Sequence, residues 1–368
     1  MIQIKYHRFV LLFTILVGLS LVLSACARGD AYPGAIAYQK VLNTDSQIFV
    51  MDPAGAVKTR VSTEGGWNFM PSWSADGETL AYYYFNPGTQ MTLVYAVDVT
   101  QPELLPEMLT DRATFDTEFG PLKWSPTGEA ILYYTLDSLA NADIYKVNVV
   151  NGTASDIFED AIYHDFTPDW SPDGSQFVFA SNRPDKEIPI FDLYIADENG
   201  ENLVQLTDNN NDGWVDTLPA WSPDGATIAF WRFNYIEGED FEGGPEGVWI
   251  LDLESQEESL LYEAEIPSGE NPPVWSPDGK YLAFLEDINA EHTLRVIESA
   301  SGELVDLSVV AGDKRAISWS PDSQALVFSN YSDPDAQMFI LDIQSGELTE
   351  VLEADTGATI GDPHWGGN

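Results

Sequence analysis

The sequence predicts an all-β fold: a seven-bladed β-propeller of four-stranded antiparallel blades. Three observations predict it. A short stretch opening Trp-Ser recurs as WSADG at 73–77, WSPTG at 124–128, WSPDG at 170–174, 221–225 and 275–279, and WSPDS at 319–323. With Trp365, seven tryptophans stand 51, 46, 51, 54, 44 and 46 residues apart, the period of a propeller blade. The chain also opens and closes on complementary half-repeats. The first repeat begins at IAYQ, 36–39, with no tryptophan strand before it, and the last is only DPHW, 362–365. Joined, they complete one blade, so the C-terminal strand is expected to close the ring and remove its open edges.

The elements follow in order. Lys5 and Arg8 precede an uncharged run at 9–25, which is short for a permanent membrane helix and suits a secretion signal. Leu23-Ser24-Ala25-Cys26 resembles the bacterial lipobox, in which the peptide is cut before a cysteine that then carries lipid. Cys26 is the only cysteine, so it forms no internal disulfide. The expected domains are a signal peptide at 1–25, a lipidated tether at 26–33 and the propeller at 34–368. Acyl chains on Cys26 would hold the protein at a membrane.

Within each repeat the first strand ends at the tryptophan and a tight turn follows. Ser, Pro and Gly suit positions i, i+1 and i+3 of a type I turn. Ala75, Thr127 and Ser323 depart from that pattern, and those three turns are expected to be less well specified. The second strand is almost continuously apolar, as in LAYYYF at 80–85, FVFAS at 177–181 and IAFW at 228–231. Such a run reads as a strand buried on both faces. The third strand is IFVMD at 48–52, LYIAD at 193–197, MFILD at 338–342 and their counterparts, often followed by Asn-Gly or Ser-Gly. The fourth is weaker, as in VQLT at 204–207 and LVDL at 304–307.

The pattern P-x-W-S-P-D-G, then I-A-F, then I-Y-x-x-D, then L-T, resembles the TolB-type propeller repeat over nearly all of 34–368. The resemblance implies an envelope or secreted propeller. Such repeats occur in the TolB component of envelope complexes, in lipoproteins of unknown role and in propellers fused to serine peptidases. A complete TolB would place a mixed α/β domain before a six-bladed propeller, whereas here the tether leads straight into IAYQ.

Charge narrows the partners. The chain has 60 Asp+Glu against 16 Lys+Arg, a net charge of −44, which repels nucleic acid and anionic lipid headgroups. No GxSxG elbow, HExxH or phosphate-cradling glycine loop occurs. His164, His292 and His364 are far apart in sequence, and His364, beside Trp365, is expected to be packed or hydrogen-bonded. The long, varied connections lie on the face opposite the Trp-Ser turns, and function is usually carried on such loops.

Counting five residues before each tryptophan gives Asn68, Phe119, Asp165, Asp216, Glu270, Lys314 and Ile360, with Glu118 and Asp362 near them in register. Asn68, Glu118, Asp165, Asp216, Glu270, Lys314 and Asp362 are therefore the candidate ligand-binding residues of the channel mouth. In the plainer alternative the carboxylates cap neighbouring backbone amides. DNNNDGWVD at 208–216 matches a calcium loop, with Asp208, Asn210, Asp212, the Trp214 carbonyl and Asp216 as ligands and Gly213 at the sharp turn. Pro219 replaces the usual bidentate Glu, and a polar turning loop remains the alternative.

The sequence thus points to a non-catalytic, lipid-anchored propeller of a bacterial cell envelope. It would lie on the outer side of the cytoplasmic membrane or at the outer membrane and bind an unidentified protein, peptide or glycan, not nucleic acid. The alternative is a polysaccharide- or peptide-processing hydrolase or lyase with an acidic site at the propeller mouth.

Overall fold

A computed structural model describes residues 33–366, apart from 43–44, 64, 102–104, 111–117, 137–141, 159–162, 184–189, 210–212, 235–244, 265–270, 289–290, 308–311, 333–334 and 354–357. The expected signal peptide, Cys26 and nearly all of the tether lie outside the described residues. Among the described residues every regular element is a strand, and no helix is long and apolar enough to cross a membrane.

The strands form antiparallel meanders in which each tryptophan strand except that of Trp365 pairs with the next strand in sequence. In the Trp221 unit, Trp214–Trp221, Thr227–Asn234, Gly247–Asp252 and Glu258–Glu263 follow one another across a four-stranded sheet. The Trp170 and Trp319 units repeat this order. The Trp73 unit shares a sheet with the strands that open the chain through a single parallel bridge, Ser46 to Trp67. The C-terminal strand Ala358–Gly366 pairs antiparallel with Ala35–Leu42, aligning Trp365 with Ile36 and Ile360 with Lys40.

The apolar second strands are buried on both faces, as their composition predicts. Alternate residues go to different neighbours. Ala81 and Tyr83 pack with Ile131 and Tyr133 of the Trp124 unit, while Leu80 and Tyr82 pack with Ala37 and Ile48 of the Trp365 unit. Seven apolar clusters among the described residues repeat this arrangement, each shared by two consecutive units. One of them sets Ala325 and Val327 against Ile36 and Tyr38, joining the last full unit to the first strands of the chain.

The tryptophans add a polar link. Trp73 Nε1 donates to the His364 carbonyl (3.1 Å), Trp124 Nε1 to Ser72 (3.0 Å), Trp170 Nε1 to Lys123 (3.0 Å), Trp275 Nε1 to Ala220 (3.1 Å) and Trp319 Nε1 to Val274 (2.9 Å). Each acceptor is the residue before the preceding unit's tryptophan. Two tryptophans differ. Trp221 Nε1 turns to Gly225 of its own turn and Trp365 Nε1 to Pro33, and in both the backbone N–H makes the inter-unit bond, to Asp169 (2.8 Å) and Ser318 (2.9 Å).

The Trp-Ser turns share one framework. In WSPDG at 221–225, Ser222 Oγ donates to Asp224 Oδ1 (2.7 Å) and accepts from Thr227 N (3.0 Å), and Asp224 Oδ1 also accepts from Ala226 N (3.0 Å). The three departures are expected to leave their turns less well specified; the structure corrects this for Ala75 and Ser323, while the Thr127 turn has longer bonds. The Ala75 turn keeps all three bonds, because proline contributes none of them. Thr127 replaces the carboxylate with a hydroxyl 3.1 Å from Ser125 Oγ. Ser323 takes the left-handed φ of +63° that glycine holds in the other turns, and its hydroxyl accepts from Asp278 N in the neighbouring turn (3.0 Å).

A second recurring feature gave no signal in composition. Met70, Thr167, Leu218, Ala316 and Asp362, each three residues before a tryptophan, have φ between +44° and +53°. A register shift marks each as a β-bulge. The same position in the other two units is Pro121 or Pro272, whose ring forbids positive φ. There the tryptophan strand shortens to Lys123–Trp124 or Val274–Trp275.

Candidate functional site

Among the described residues, four of those standing five before a tryptophan share one register on their tryptophan strands. Asn68 lies opposite Tyr84, Asp165 opposite Ser181, Asp216 opposite Arg232 and Lys314 opposite Asn330. These four are buried. Asn68 Nδ2 donates to the Ser46 carbonyl (2.7 Å), and the Asn68 carbonyl accepts from Ser46 Oγ (2.6 Å), which ties two units together. Lys314 Nζ donates to the Gly312 carbonyl, and burial pushes its ammonium down. Asp362 occupies a left-handed bulge, where burial pushes its carboxyl up against an opposing hydrogen bond from the Met70 amide. Glu118 pairs by backbone with Leu136, while Glu270 lies outside the described residues.

The two central aspartates face arginines of their own units. Arg183 binds Asp165 through Nε (3.2 Å) and Nη2, and its guanidinium lies 4.6 Å over the Phe158 ring and 4.8 Å over Tyr163. Arg232 binds Asp216 through Nε (2.6 Å) and Nη2 (2.7 Å), reaches Glu258 through Nη1 (2.7 Å) and lies 4.7 Å over Trp249. Burial raises the Asp216 carboxyl and Arg232 opposes it. Burial likewise works against the Arg232 charge, but Asp216 and Glu258 more than offset that and keep it protonated. Arginine therefore takes up both oxygens of each of these two carboxylates.

The same contacts bear on the calcium loop. Asp208 is exposed, Trp214 is buried in a strand, and Asn210 and Asp212 lie outside the described residues. Asp216 is withdrawn from the expected ligand set, because Arg232 occupies both of its oxygens and Thr207 and Asn209 also donate to it. Among the described residues no three His, Cys, Asp or Glu side chains group to hold a metal. The base of the loop is instead held by the fully buried Asp192, which accepts from Asn209 N (3.2 Å) and Nδ2 (3.0 Å) and from Gln205 Nε2 (2.9 Å).

A second ring, one residue before each tryptophan, went unread in the sequence. Asp169 accepts from Lys123 Nζ (3.0 Å) and from Trp221 N (2.8 Å). His364 is hydrogen-bonded, as expected: its Nδ1 accepts from Trp73 N (3.3 Å), so the neutral ring carries its proton on Nε2. Burial first, and Lys123 nearby, hold this imidazole down at about 4. The signal missed was the arginines and lysines themselves. With only 16 basic residues among 60 acidic ones, an arginine in an apolar strand such as FWRF must be paired.

The TolB beta propeller domain family matches residues 32–183. Over that segment the chain is similar to the TolB-type β-propeller repeat. It is 25% identical over 250 residues to the Tol-Pal system protein TolB of Francisella tularensis subsp. mediasiatica, a match covering 66% of this chain and 52% of that protein. The chain spans 18%, 64% and 52% of the length of three curated relatives, less than two thirds of each. Among solved structures, TolB from Acinetobacter baumannii matches at a TM-score of 0.53 and 16% identity, covering 92% of this chain and 68% of that one. The oligogalacturonate lyase of Vibrio parahaemolyticus matches at 0.63 and 15% identity, covering 82% and 85%. At these identities the likeness is one of fold.

Proposed function

We propose that this protein is a non-catalytic, lipid-anchored propeller of a bacterial cell envelope whose loop face binds a protein, peptide or glycan. Its seven units close into a ring. Pairing of Ala358–Gly366 with Ala35–Leu42 and the apolar cluster between Ala325 and Ile36 support that closure. The lipobox-like residues before Cys26 support the anchor, and the TolB relatives support an envelope location outside the cytoplasmic membrane.

One observation carries the non-catalytic reading. Asp165 and Asp216, the carboxylates that an acid–base mechanism at the mouth would use, are each held by an arginine of their own unit. General acid–base work needs a carboxyl within reach of substrate with a pKa near the working pH. A carboxylate held bidentate by arginine is a poor candidate for either. For Asp165 or Asp216 to serve the alternative, a hydrolase or lyase, its arginine pair must open. On the loop face, Trp67 is 39% exposed at the start of its strand and offers a stacking surface. The test is affinity capture from solubilised envelope by wild type and by Trp67→Asp, both shown to be folded. A partner retained by wild type and lost from the variant supports the proposal. Turnover of oligogalacturonate or a peptide amide that disappears in Asp216→Asn would overturn it.

A further inference from the structure

The turn face carries a groove of about 410 Å³ between the turns of the Trp221 and Trp275 units. Its apolar lining is Pro223, Ile250, Trp275 and Pro277, and its charged lining is Asp224 and Asp278. The two carboxylates are not used up by their turns. Asp224 accepts from Ser222 Oγ and Ala226 N through Oδ1 alone, leaving Oδ2 without a partner. Asp278 uses Oδ1 in the same way, and its Oδ2 accepts only from Lys280 Nζ (2.6 Å). That lysine side chain is 72% exposed, and an ion pair so open to water is weak. Both carboxyls are held below the usual range, Asp224 first by the Ser222 hydroxyl, and Asp278 by Lys280 and Ser276 against the opposing effect of burial.

We propose that this groove binds an arginine-bearing, extended peptide segment of a partner protein, with the guanidinium against Trp275 between Asp224 and Asp278. The chemistry selects that occupant. A planar guanidinium stacks on an indole and meets carboxylates through parallel N–H donors, which an ammonium cannot do. Prolines on both turns supply flat apolar surface for the flanking backbone. The net charge of −44 draws a basic segment in, and it repels both an anionic membrane and a second copy of this chain. The arriving guanidinium takes the place of Lys280, which swings into water at little cost. This face is opposite the loop face, so the groove is independent of the binding proposed there.

The probe is a capped peptide alternating proline and arginine, titrated calorimetrically into the folded protein at fixed ionic strength. Wild type is expected to bind it. Lys280→Ala removes the competing cation and should tighten binding by about threefold, beyond any gain in Lys58→Ala, which makes the same charge change on a remote strand. Asp224→Asn keeps the turn acceptor and should weaken binding roughly tenfold. Ser299→Arg, which places a guanidinium in the groove, should do the same, and unchanged melting midpoints would show that both variants fold. Trp67→Asp should leave binding intact, which separates this proposal from the loop-face reading. Absence of binding to wild type overturns the proposal, as do equal gains in Lys280→Ala and Lys58→Ala. A protein dimer that Ser299→Arg dissociates, without peptide binding, would place a second copy in the groove and also overturn it.

Discussion

At the scale of single residues, His364 and Arg232 make opposite use of burial. His364 is kept neutral so that Nδ1 can accept the Trp73 amide. Its folded pKa of about 4 lies below the roughly 6.5 of a free imidazole. The unfolded chain therefore binds the extra proton between those values. The contribution is fully present above about pH 6.5 and is lost as pH falls toward 4, by up to about 3 kcal/mol. The urea midpoint should drop over that window, and His364→Gln should flatten the drop. The aspartates of the turns, Asp76 and Asp224 among them, are held below the usual carboxylate range. Their contribution fades only in stronger acid, so the two effects separate. Arg232 is kept charged instead. Arg232→Met would leave Asp216 buried without its partner and is expected to cost about 3–5 kcal/mol in urea unfolding. Adding Asp216→Leu should recover most of that loss, because the pair is then removed together.

At the scale of elements, the strands and turns were legible because each follows from local chemistry. A run such as FVFA at 177–180 announces a strand buried on both faces, and Trp-Ser-Pro-Asp-Gly announces a turn. The bulges were not legible. Met70, Thr167 and Leu218 share only a distance from a tryptophan, and no residue type announces their positive φ. The turn reading was right in type but credited the wrong residue, since proline presets φ while Ser and Asp make the bonds. Ser222→Ala removes a buried hydroxyl that makes two of them and should cost about 1–3 kcal/mol. Pro223→Ala should cost less than about 1 kcal/mol, because Ala75 already supports an intact turn. Paired thermal melts of the two variants would decide between hydroxyl and ring.

At the scale of the molecule, the period of the tryptophans foretold units, and their packing shows why one residue type recurs. Five of the seven repeat indoles hydrogen-bond across to the preceding unit, a role no aliphatic side chain can fill. The partners of the mouth charges were less legible, because Arg183 and Arg232 meet Asp165 and Asp216 only once strands pair 16 to 18 residues apart. The half-repeats at the two ends make the strongest claim. Strand Ala358–Gly366 supplies Trp365, whose amide N–H donates to Ser318 Oγ and whose Nε1 donates to the Pro33 carbonyl. It also supplies Ile360 to the cluster shared with Ala325 and Val327, and His364 to the Trp73 link. Deleting 358–368 would expose the edge of Ala35–Leu42 and leave two units without a neighbour's contacts. Burying a tryptophan alone is worth about 3–5 kcal/mol when it is truncated, so the deletion should cost more than that. Trp365→Ala should fall within that range while keeping the strand paired. If both variants unfold at the urea midpoint of the full chain, the ring is held elsewhere. If the deletion alone broadens the transition as it lowers the midpoint, the terminal strand is what couples the units into one cooperative body.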